Sequence, residues 1–267
     1  MDSDTGISTV ALPGSDEPSP VELVNADGRS SAVLVCDHAA SRVPRQLGTL
    51  GLDAARLADH IGWDPGAADV ARRLSILLDA PLVLSGYSRL VIDCNRPLRS
   101  PESIAEQSDG VPVPGNRGLS PWERERRVTG LFQPYHDAID RLLDARSGRP
   151  SLLLSIHSFT PVLNGRPRPW HIGISHWRDR RLAALMLDVL ARSGEFTVGD
   201  NAPYPIDEDV DYTIPVHGEG RGLPSVMIEI RQDGIQTAAG AAAWAARLAQ
   251  SYRLIEDEAL RIFAVFV

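Results

Sequence analysis

The most constraining feature of the chain is a series of short apolar runs that end in polar residues and alternate with segments of helical periodicity. Residues 31–36 and 151–156 have the length and composition of buried strands, and polar residues follow both directly. Between them, residues 65–78 place apolar side chains at helical spacing, with Asp64-Pro65 as the expected N-cap and first-turn proline. This alternation predicts a three-layer αβα domain with a central mixed, largely parallel sheet.

The other predicted elements fit the same architecture. Strands are expected at residues 81–85, 88–93, 171–175 and 225–230, and helices at 120–145, 180–192 and from 237 to about 263. A capping box at Ser120 and Glu123 opens the first of these helices, and Pro134 should perturb it midway. Residues 99–118 are rich in Pro and Gly without periodicity, which predicts a long surface loop that could cover a site.

Composition narrows the function classes. All 27 basic residues are arginine, which excludes every mechanism that uses a lysine amine. The net charge of −8 argues against a nucleic-acid partner, and no apolar run approaches the roughly 20 residues of a membrane span. Residues 1–20 lack the pattern of a signal peptide and resemble a flexible arm, so we expect a cytoplasmic protein with one catalytic domain at residues 21–267. The sequence leaves the oligomeric state open.

Polar side chains at several predicted strand ends suggest a site. His38, Asn95-Arg96 and His157 each follow a predicted strand, and Glu229 lies within a fourth. In α/β sheets, ligands gather at the carboxyl ends of the strands. Two imidazoles and a carboxylate suit a catalytic zinc with an open position, a nearby Glu can act as its base, and an Arg can stabilise an oxyanion.

Other interpretations of these residues remain open. Either histidine could be a hydrogen-bonded structural residue, Glu229 could pair with an arginine, and Asp64 could simply cap its helix. His60 and Asp64 are four positions apart, which is also a plausible ligand spacing. Serine catalysis would need Ser41, Ser158 or Ser175, but no Gly-x-Ser-x-Gly elbow is present. Cys36 and Cys94 lie in apolar stretches, which favours buried, inert thiols.

Six motifs occur in order between about Val33 and Asp233. They are Val-Leu-Val-Cys-Asp-His38, His60-Ile-Gly-Trp-Asp64-Pro, Tyr-Ser-Arg89-Leu-Val-Ile-Asp93-Cys-Asn95-Arg96-Pro, Ile-His157-Ser-Phe-Thr-Pro, Arg-Pro-Trp-His171 and Met-Ile-Glu229-Ile-Arg-Gln-Asp. This series resembles the N-formylglutamate amidohydrolase family, which is more distantly similar to zinc carboxypeptidases and acyl-amino-acid deacylases. The resemblance implies a phosphorylase/hydrolase-like fold, one Zn²⁺ per chain and hydrolysis of an N-acyl amino acid such as N-formyl-L-glutamate. It also implies a role in amino-acid metabolism, such as histidine degradation.

The resemblance also implies residue roles. His38 and His157 match the two ligand histidines, and Glu229 resembles the general base. The Asn95-Arg96 pair resembles the residues that contact the substrate carboxylate or carbonyl oxygen. Carboxypeptidases have a Glu three residues after the first histidine, where this chain has Ser41. We therefore expect Asp64 as the third ligand, with Asp37 and His60 as alternatives.

Further residues could bind a small anionic substrate. Arg89 and Arg221 are candidate anion-binding groups, because a guanidinium matches a carboxylate with two hydrogen bonds. His171 and His217 are candidate hydrogen-bond donors near the leaving group, with an ordinary structural role as the alternative. Two other functions stay open: a non-catalytic anion-binding module of the same fold, or a deacylase or peptidase for another N-acyl substrate.

Overall fold

A computed structural model describes residues 11–264 of the chain and the side chains of residues 11–262. Its strands are β1 (Val21–Val24), β2 (Ala32–Cys36), β3 (Leu82–Ser85), β4 (Gln107–Ser108), β5 (Val111–Pro112), β6 (Leu152–Phe159), β7 (Val162–Leu163), β8 (Arg166–Pro167), β9 (Ile172–Ser175), β10 (Val198–Asp200) and β11 (Ser225–Arg231). Its α-helices are α1 (Ala54–Ala58), α2 (Ala67–Leu78), α3 (Pro121–Arg127), α4 (Gln133–Ala145), α5 (Arg181–Ala191) and α6 (Ala238–Ala264). Two π-helical turns span Val128–Phe132 and Ile214–Gly218.

Within residues 11–264, seven strands form one mixed sheet in the order β1-β3-β2-β6-β11-β9-β10. The central strands β3, β2, β6 and β11 run parallel to one another. Strand β1 pairs antiparallel with β3 and β9 pairs antiparallel with β11, whereas β10 runs parallel to β9. Two short hairpins, β4–β5 and β7–β8, lie outside this sheet. The predicted fold class, a central mixed and largely parallel sheet, is confirmed.

Helices cover both faces of the sheet, because successive side chains of each strand point to opposite sides. On one face, alternate strand residues such as Leu34 and Ile228 pack against α2, α5 and α6. On the other face, residues such as Val35 and Leu153 pack against α4. These two apolar clusters explain why the central strands are apolar along their whole length.

The structure corrects two sequence predictions. Residues 88–93 form turns, where a strand was expected, because Leu90, Val91 and Ile92 are buried in a separate apolar cluster beside the sheet. The N-cap of α2 is Gly66, and Asp64 makes no capping bond. Gly66 has a φ of 83°, and a Cβ there would lie 2.6 Å from the Ile235 carbonyl oxygen. This turn leaves the Asp64 carboxylate free to contact other elements.

The predicted interruption of the helix over residues 120–145 is present. Ser120 and Glu123 form the expected capping box at the start of α3. The helical hydrogen bonding widens to a π turn at Val128–Phe132 and becomes regular again as α4 begins next to Pro134. Proline lacks an N–H, and a widened turn accommodates that loss without ending the helix.

Residues 11–20 pack against the rest of the chain, while residues 1–10 of the predicted arm lie outside the described residues. Leu12 is buried, and the Tyr87 hydroxyl donates a hydrogen bond to the Pro18 carbonyl oxygen. The Leu12 carbonyl lies directly against Gly130 of the π turn. No helix within residues 11–264 combines the length and the apolar character needed to cross a bilayer.

The contact between Gly130 and Leu12 yields a stability prediction. A Cβ at Gly130 would overlap the Leu12 carbonyl oxygen, so Gly130→Ala must push residues 11–13 off the π turn. We expect this substitution to cost about 1–3 kcal/mol of unfolding free energy and to expose the segment to protease. Thr129→Ala, at the exposed neighbouring position, is the control and should be close to neutral. Equal stability of both variants in urea unfolding would show that the contact is absent in solution.

Candidate active site

The central strands bring three predicted site residues to one edge of the sheet. His38 follows β2 by two residues, and His157 and Glu229 are direct neighbours in the parallel pairing of β6 and β11. Asp64 lies in the turn before α2, where its backbone N–H donates a hydrogen bond of 3.0 Å to the His38 carbonyl oxygen. The strand β6 is longer than predicted and includes His157, so the sheet itself holds this side chain.

His38, Asp64 and His157 form a buried cluster whose potential ligand atoms all lie within 4.8 Å of one another. The Nδ1 atom of His157 is 3.0 Å from Asp64 Oδ2, and the Nδ1 atom of His38 is 3.4 Å from the same oxygen. The two imidazole rings meet edge to face, with their centroids 4.9 Å apart. Two ring nitrogens therefore converge on one carboxylate oxygen.

A separate carboxylate holds the far side of each ring. His38 Nε2 is 2.7 Å from Asp93 Oδ1, and His157 Nε2 is 2.8 Å from Asp37 Oδ2. A carboxylate can only accept, so each Nε2 carries a proton, and loss of the other ring proton would leave each Nδ1 bare and directed at Asp64. Metal-binding histidines commonly have such a carboxylate behind them. Asp37, which the sequence left open as a ligand, thus supports His157 from behind.

This arrangement fits a bound cation. Within the described residues, the buried His38 Nδ1 has no hydrogen-bond partner. A bare nitrogen and a carboxylate oxygen also repel each other unless a positive charge lies between them. Burial lowers the pKa of His157, but hydrogen bonds to Asp37 and Asp64 outweigh this effect and raise the pKa well above its usual value. A metal ion can replace that proton, and two nitrogens with one oxygen suit Zn²⁺.

The alternative ligand His60 is engaged elsewhere. Its Nδ1 lies 2.9 Å from Asp59 Oδ1, and its Nε2 lies 3.1 Å from Asp109 Oδ2. His60 lines the same cavity as the cluster, but a quarter of its side chain is exposed, and only its Nε2 atom faces another element, the β4–β5 hairpin. Asp64 is better placed, because its Oδ2 also accepts a hydrogen bond from the Ser158 amide.

The cluster opens into a cavity of about 340 Å³ at the sheet edge. Glu229 lines this cavity, is almost fully buried, and has an Oε2 atom without a hydrogen-bond partner within the described residues. Burial raises the pKa of Glu229 to about 7. A carboxyl group with such a pKa can both accept and release a proton near neutral pH.

The predicted anion-binding residues Arg89, Asn95 and Arg96 also line the cavity, but neighbouring side chains already engage them. Arg89 contacts Asp93 Oδ2 through Nε at 2.9 Å and through Nη2 at 2.6 Å. Arg96 lies 3.2 Å from Asp211 Oδ1 and 3.5 Å from Glu102. Asn95 donates to Asp211 and accepts the amide hydrogens of residues 212 and 213, so it tethers that loop to the cavity.

Three predicted site residues lie away from the cavity. His171 accepts the Thr197 amide hydrogen through Nδ1 and lies beside Phe196. His217 is buried between His136 and Asp140, with its Nε2 atom 2.8 Å from His136 Nδ1 and its Nδ1 atom 3.1 Å from Asp140 Oδ1. Arg221 pairs with Asp140 and Asp144. The structure therefore does not bring these three residues to the cavity, because each one makes contacts within its own part of the fold.

Sequence reasoning missed several residues at the site. Tyr204, Asp211, Met227 and Gln232 line the cavity, and Asp93 supports His38. Asp93 lies in the same motif as Asn95-Arg96, and this position in the sequence could have indicated that Asp93 belongs to the site. Tyr204 and Asp211 come from a loop without regular structure, where neither periodicity nor a motif pointed to the site.

The chain is an α/β protein whose central mixed sheet carries, in one cavity, a buried His-Asp-His cluster that could hold a metal and the buried Glu229 carboxyl group. The family model described as N-formylglutamate amidohydrolase matches residues 30–236. The chain therefore belongs to this family. The match confirms the resemblance seen in the motifs and supports an amidohydrolase activity. A search of curated protein sequences gives no match.

Two solved structures are similar over most of their length. A gene product of Agrobacterium tumefaciens is 41% identical, with a TM-score of 0.86, and the match covers 90% of this chain and 97% of that one. An N-formylglutamate amidohydrolase from Ralstonia eutropha is 19% identical, with a TM-score of 0.69, and the match covers 93% of this chain and 98% of that one. The second structure shares the fold of this chain although few of its residues are identical.

The buried histidines generate a prediction for the metal-free protein. Because the pKa values of His38 and His157 are raised above 6.5, their protonation stabilises the folded state fully below that pH. This contribution is lost as the pH rises from about 6.5 through the folded-state pKa values. Chelator-treated protein should therefore melt at a progressively lower temperature as the pH is raised from 6 to 9, and a bound divalent metal should flatten the profile.

The control for this experiment is His60→Ala, which removes a histidine outside the cluster. That variant should keep the slope of melting temperature against pH. A flat profile in metal-free wild-type protein would contradict the raised pKa values.

Proposed function

We propose that the chain is a zinc-dependent amidohydrolase that cleaves the amide bond of an N-acyl amino acid such as N-formyl-L-glutamate. The single observation that carries this proposal is the presence in one cavity of two buried atoms, His38 Nδ1 and Glu229 Oε2, that have no hydrogen-bond partner in the described part of the chain. A buried polar group without a partner destabilises the fold by about 1–3 kcal/mol, so such groups mark sites that a ligand completes. Family membership supports the amide bond as the target.

His38, Asp64 and His157 would hold the metal. When bound, zinc supplies Lewis acidity, which polarises an amide carbonyl and makes water more acidic. The protein contributes the fixed direction of the ligand atoms, since Asp93 and Asp37 hold the two rings from behind. The cavity also excludes bulk water from these atoms, which strengthens every electrostatic interaction inside it.

Glu229 is the proposed general base. Its carboxylate takes a proton from a water molecule in the cavity as that water attacks the amide carbon, and then delivers the proton to the leaving nitrogen. The Oε2 atom supports this role, because no arginine among residues 11–262 forms a hydrogen bond with that oxygen. Burial raises the pKa of Glu229 to about 7, so the ionised form that accepts a proton and the protonated form that donates one are both populated near neutral pH.

Arg96 is the proposed contact for the substrate carboxylate or the developing oxyanion. It lines the cavity and is only partly exposed, and its distances to Asp211 and Glu102 exceed 3.0 Å. These loose contacts can be exchanged for a closer substrate oxygen. Arg89 instead stays bound to Asp93 and contributes positive charge near the cavity.

The metal site makes a prediction about ligand identity. Purified protein should contain about one zinc per chain, measured by elemental analysis. Asp64→Asn should abolish tight binding because it removes a ligand, whereas Asp37→Asn should weaken binding about 10- to 100-fold because it only loosens His157. His60→Ala is the matched control within the cavity and should retain the metal. Loss of zinc in the control but not in Asp64→Asn would reverse the ligand assignment.

A substrate panel tests the proposed reaction. Zinc-loaded protein should release the free amine from at least one member of a panel of N-formyl, N-acetyl and N-succinyl amino acids. Glu229→Gln should lower kcat about 100- to 10,000-fold, because it removes the proton acceptor while keeping the size of the side chain. Zinc content must be the same in both proteins. Full activity of the variant would refute the base assignment, and no turnover across the panel would favour an anion-binding module.

A further inference from the structure

Ser158 contacts the turn that carries Asp64 at two points. Its backbone N–H donates a hydrogen bond of 3.1 Å to Asp64 Oδ2, and its hydroxyl group donates one of 3.0 Å to the Pro65 carbonyl oxygen. Ser158 follows His157 directly on β6 and is buried. A residue next to one proposed metal ligand therefore binds both the side chain and the backbone of the segment that carries another.

The geometry of the Asp64 turn explains why the Pro65 carbonyl needs an outside partner. The Asp64 carbonyl oxygen accepts from the Ala67 N–H, and Gly66 has a φ of 83° and a ψ of −20°. Pro65 and Gly66 thus occupy the central positions of a type II turn, which requires a positive φ at the second of them. The hydrogen bond that closes this turn does not use the Pro65 carbonyl oxygen, so its partner must come from elsewhere. The Ser158 hydroxyl group supplies that partner.

Gln232 fixes the direction of the Ser158 hydroxyl group. Its Nε2 atom donates a hydrogen bond of 3.3 Å to Ser158 Oγ, and its side chain lines the cavity. A serine hydroxyl has one hydrogen, and a carbonyl oxygen can only accept. Since that hydrogen goes to Pro65, the Ser158 oxygen accepts from Gln232, whose amide must present its NH₂ group there. These contacts join the turn before α2 to the ends of β6 and β11.

These contacts bear on where Asp64 Oδ2 lies relative to His157 Nδ1. The two atoms are 3.0 Å apart, although their residues are 93 positions apart in the sequence. His157 is part of the sheet, whereas Asp64 lies in a turn outside it. The bond from the Asp64 N–H to the His38 carbonyl oxygen holds the turn towards β2, and Ser158 holds it towards β6. Because a metal site tolerates deviations of only about 0.2 Å in ligand distances, a loosened turn should weaken metal binding.

We infer that Ser158 is a positioning residue whose hydroxyl group, oriented by Gln232, fixes the Asp64 carboxylate against His157. This inference rests on the proposed function where it concerns the metal, and it adds two residues to the support of the site. The aspartates behind the imidazole rings act on the two nitrogen ligands. Ser158 instead acts on the oxygen ligand, through the turn that carries it.

Zinc affinity, measured by competition with a chromophoric chelator, tests this role. Ser158→Ala should weaken binding about 10-fold with the stoichiometry unchanged, because the Asp64 ligand remains but its turn is looser. Ser158→Thr keeps the hydroxyl group and should restore most of the affinity. The control is Thr160→Val, which removes a hydroxyl group that lines the same cavity and donates to the Val162 carbonyl oxygen. This control should keep the wild-type affinity.

Two further readouts distinguish positioning from a merely structural role. Gln232→Met should weaken zinc binding in the wild-type background but have no further effect in Ser158→Ala, because the hydroxyl group that Gln232 orients is then absent. In cobalt-substituted protein, the visible absorption bands report the ligand geometry of Co²⁺. These bands should shift in Ser158→Ala and return in Ser158→Thr, whereas a role limited to stability would lower the melting temperature without moving them.

Hydrogen exchange in metal-free protein separates this inference from the proposed function. The Ala67 amide, which closes the turn, should exchange faster in Ser158→Ala than in wild type or Ser158→Thr. If wild type binds no zinc but shows this difference, Ser158 positions the turn and the zinc-dependent proposal fails. If wild type binds zinc and Ser158→Ala binds it equally well, or if the exchange rate is unchanged, the inference is overturned. If Ser158→Ala does not fold, Gln232→Met decides by the same criteria.

Discussion

The direction of two imidazole rings is the constraint on which the rest of the site depends. Asp93 holds His38 and Asp37 holds His157, so both Nδ1 atoms point at Asp64. Asp37 is itself fixed by hydroxyl groups from α4, β6 and the loop before the second π turn. A helix, a strand and a loop thus fix the position of the Asp37 carboxylate together. The direction of the His157 ring therefore depends on how these elements pack against one another.

Charge balance explains why these groups can be buried together. Three aspartates at the site have lowered pKa values despite the cost of burial, because Arg89 and the two histidines face them. In the part of the chain that the structure describes, the Oε2 atom of Glu229 has no hydrogen-bond partner, and burial raises the pKa of this carboxyl group instead. One neighbourhood thus contains carboxylates that stay ionised and one carboxyl group that exchanges a proton, a division of roles typical of hydrolytic sites.

Much of the fold was predictable because periodicity reports burial directly. The strand before His38 and the strand that contains Glu229 were both predicted from their apolar runs. The strand expected at residues 88–93 was wrong because three consecutive buried residues look the same in a turn as in a buried strand. His217 could not be placed, since its partner His136 is 81 positions away in the sequence. Tertiary pairing of this kind leaves no local pattern.

The register of β6 and β11 has a consequence for how such a site can change. Glu229 and His157 occupy paired positions on adjacent parallel strands, so backbone hydrogen bonds set the separation between them. A shift of one residue would turn either side chain to the opposite face, which makes this spacing intolerant of gradual adjustment. Related proteins can therefore change the shape of the cavity through the irregular segments around it, while the paired strands keep Glu229 and His157 at the same separation.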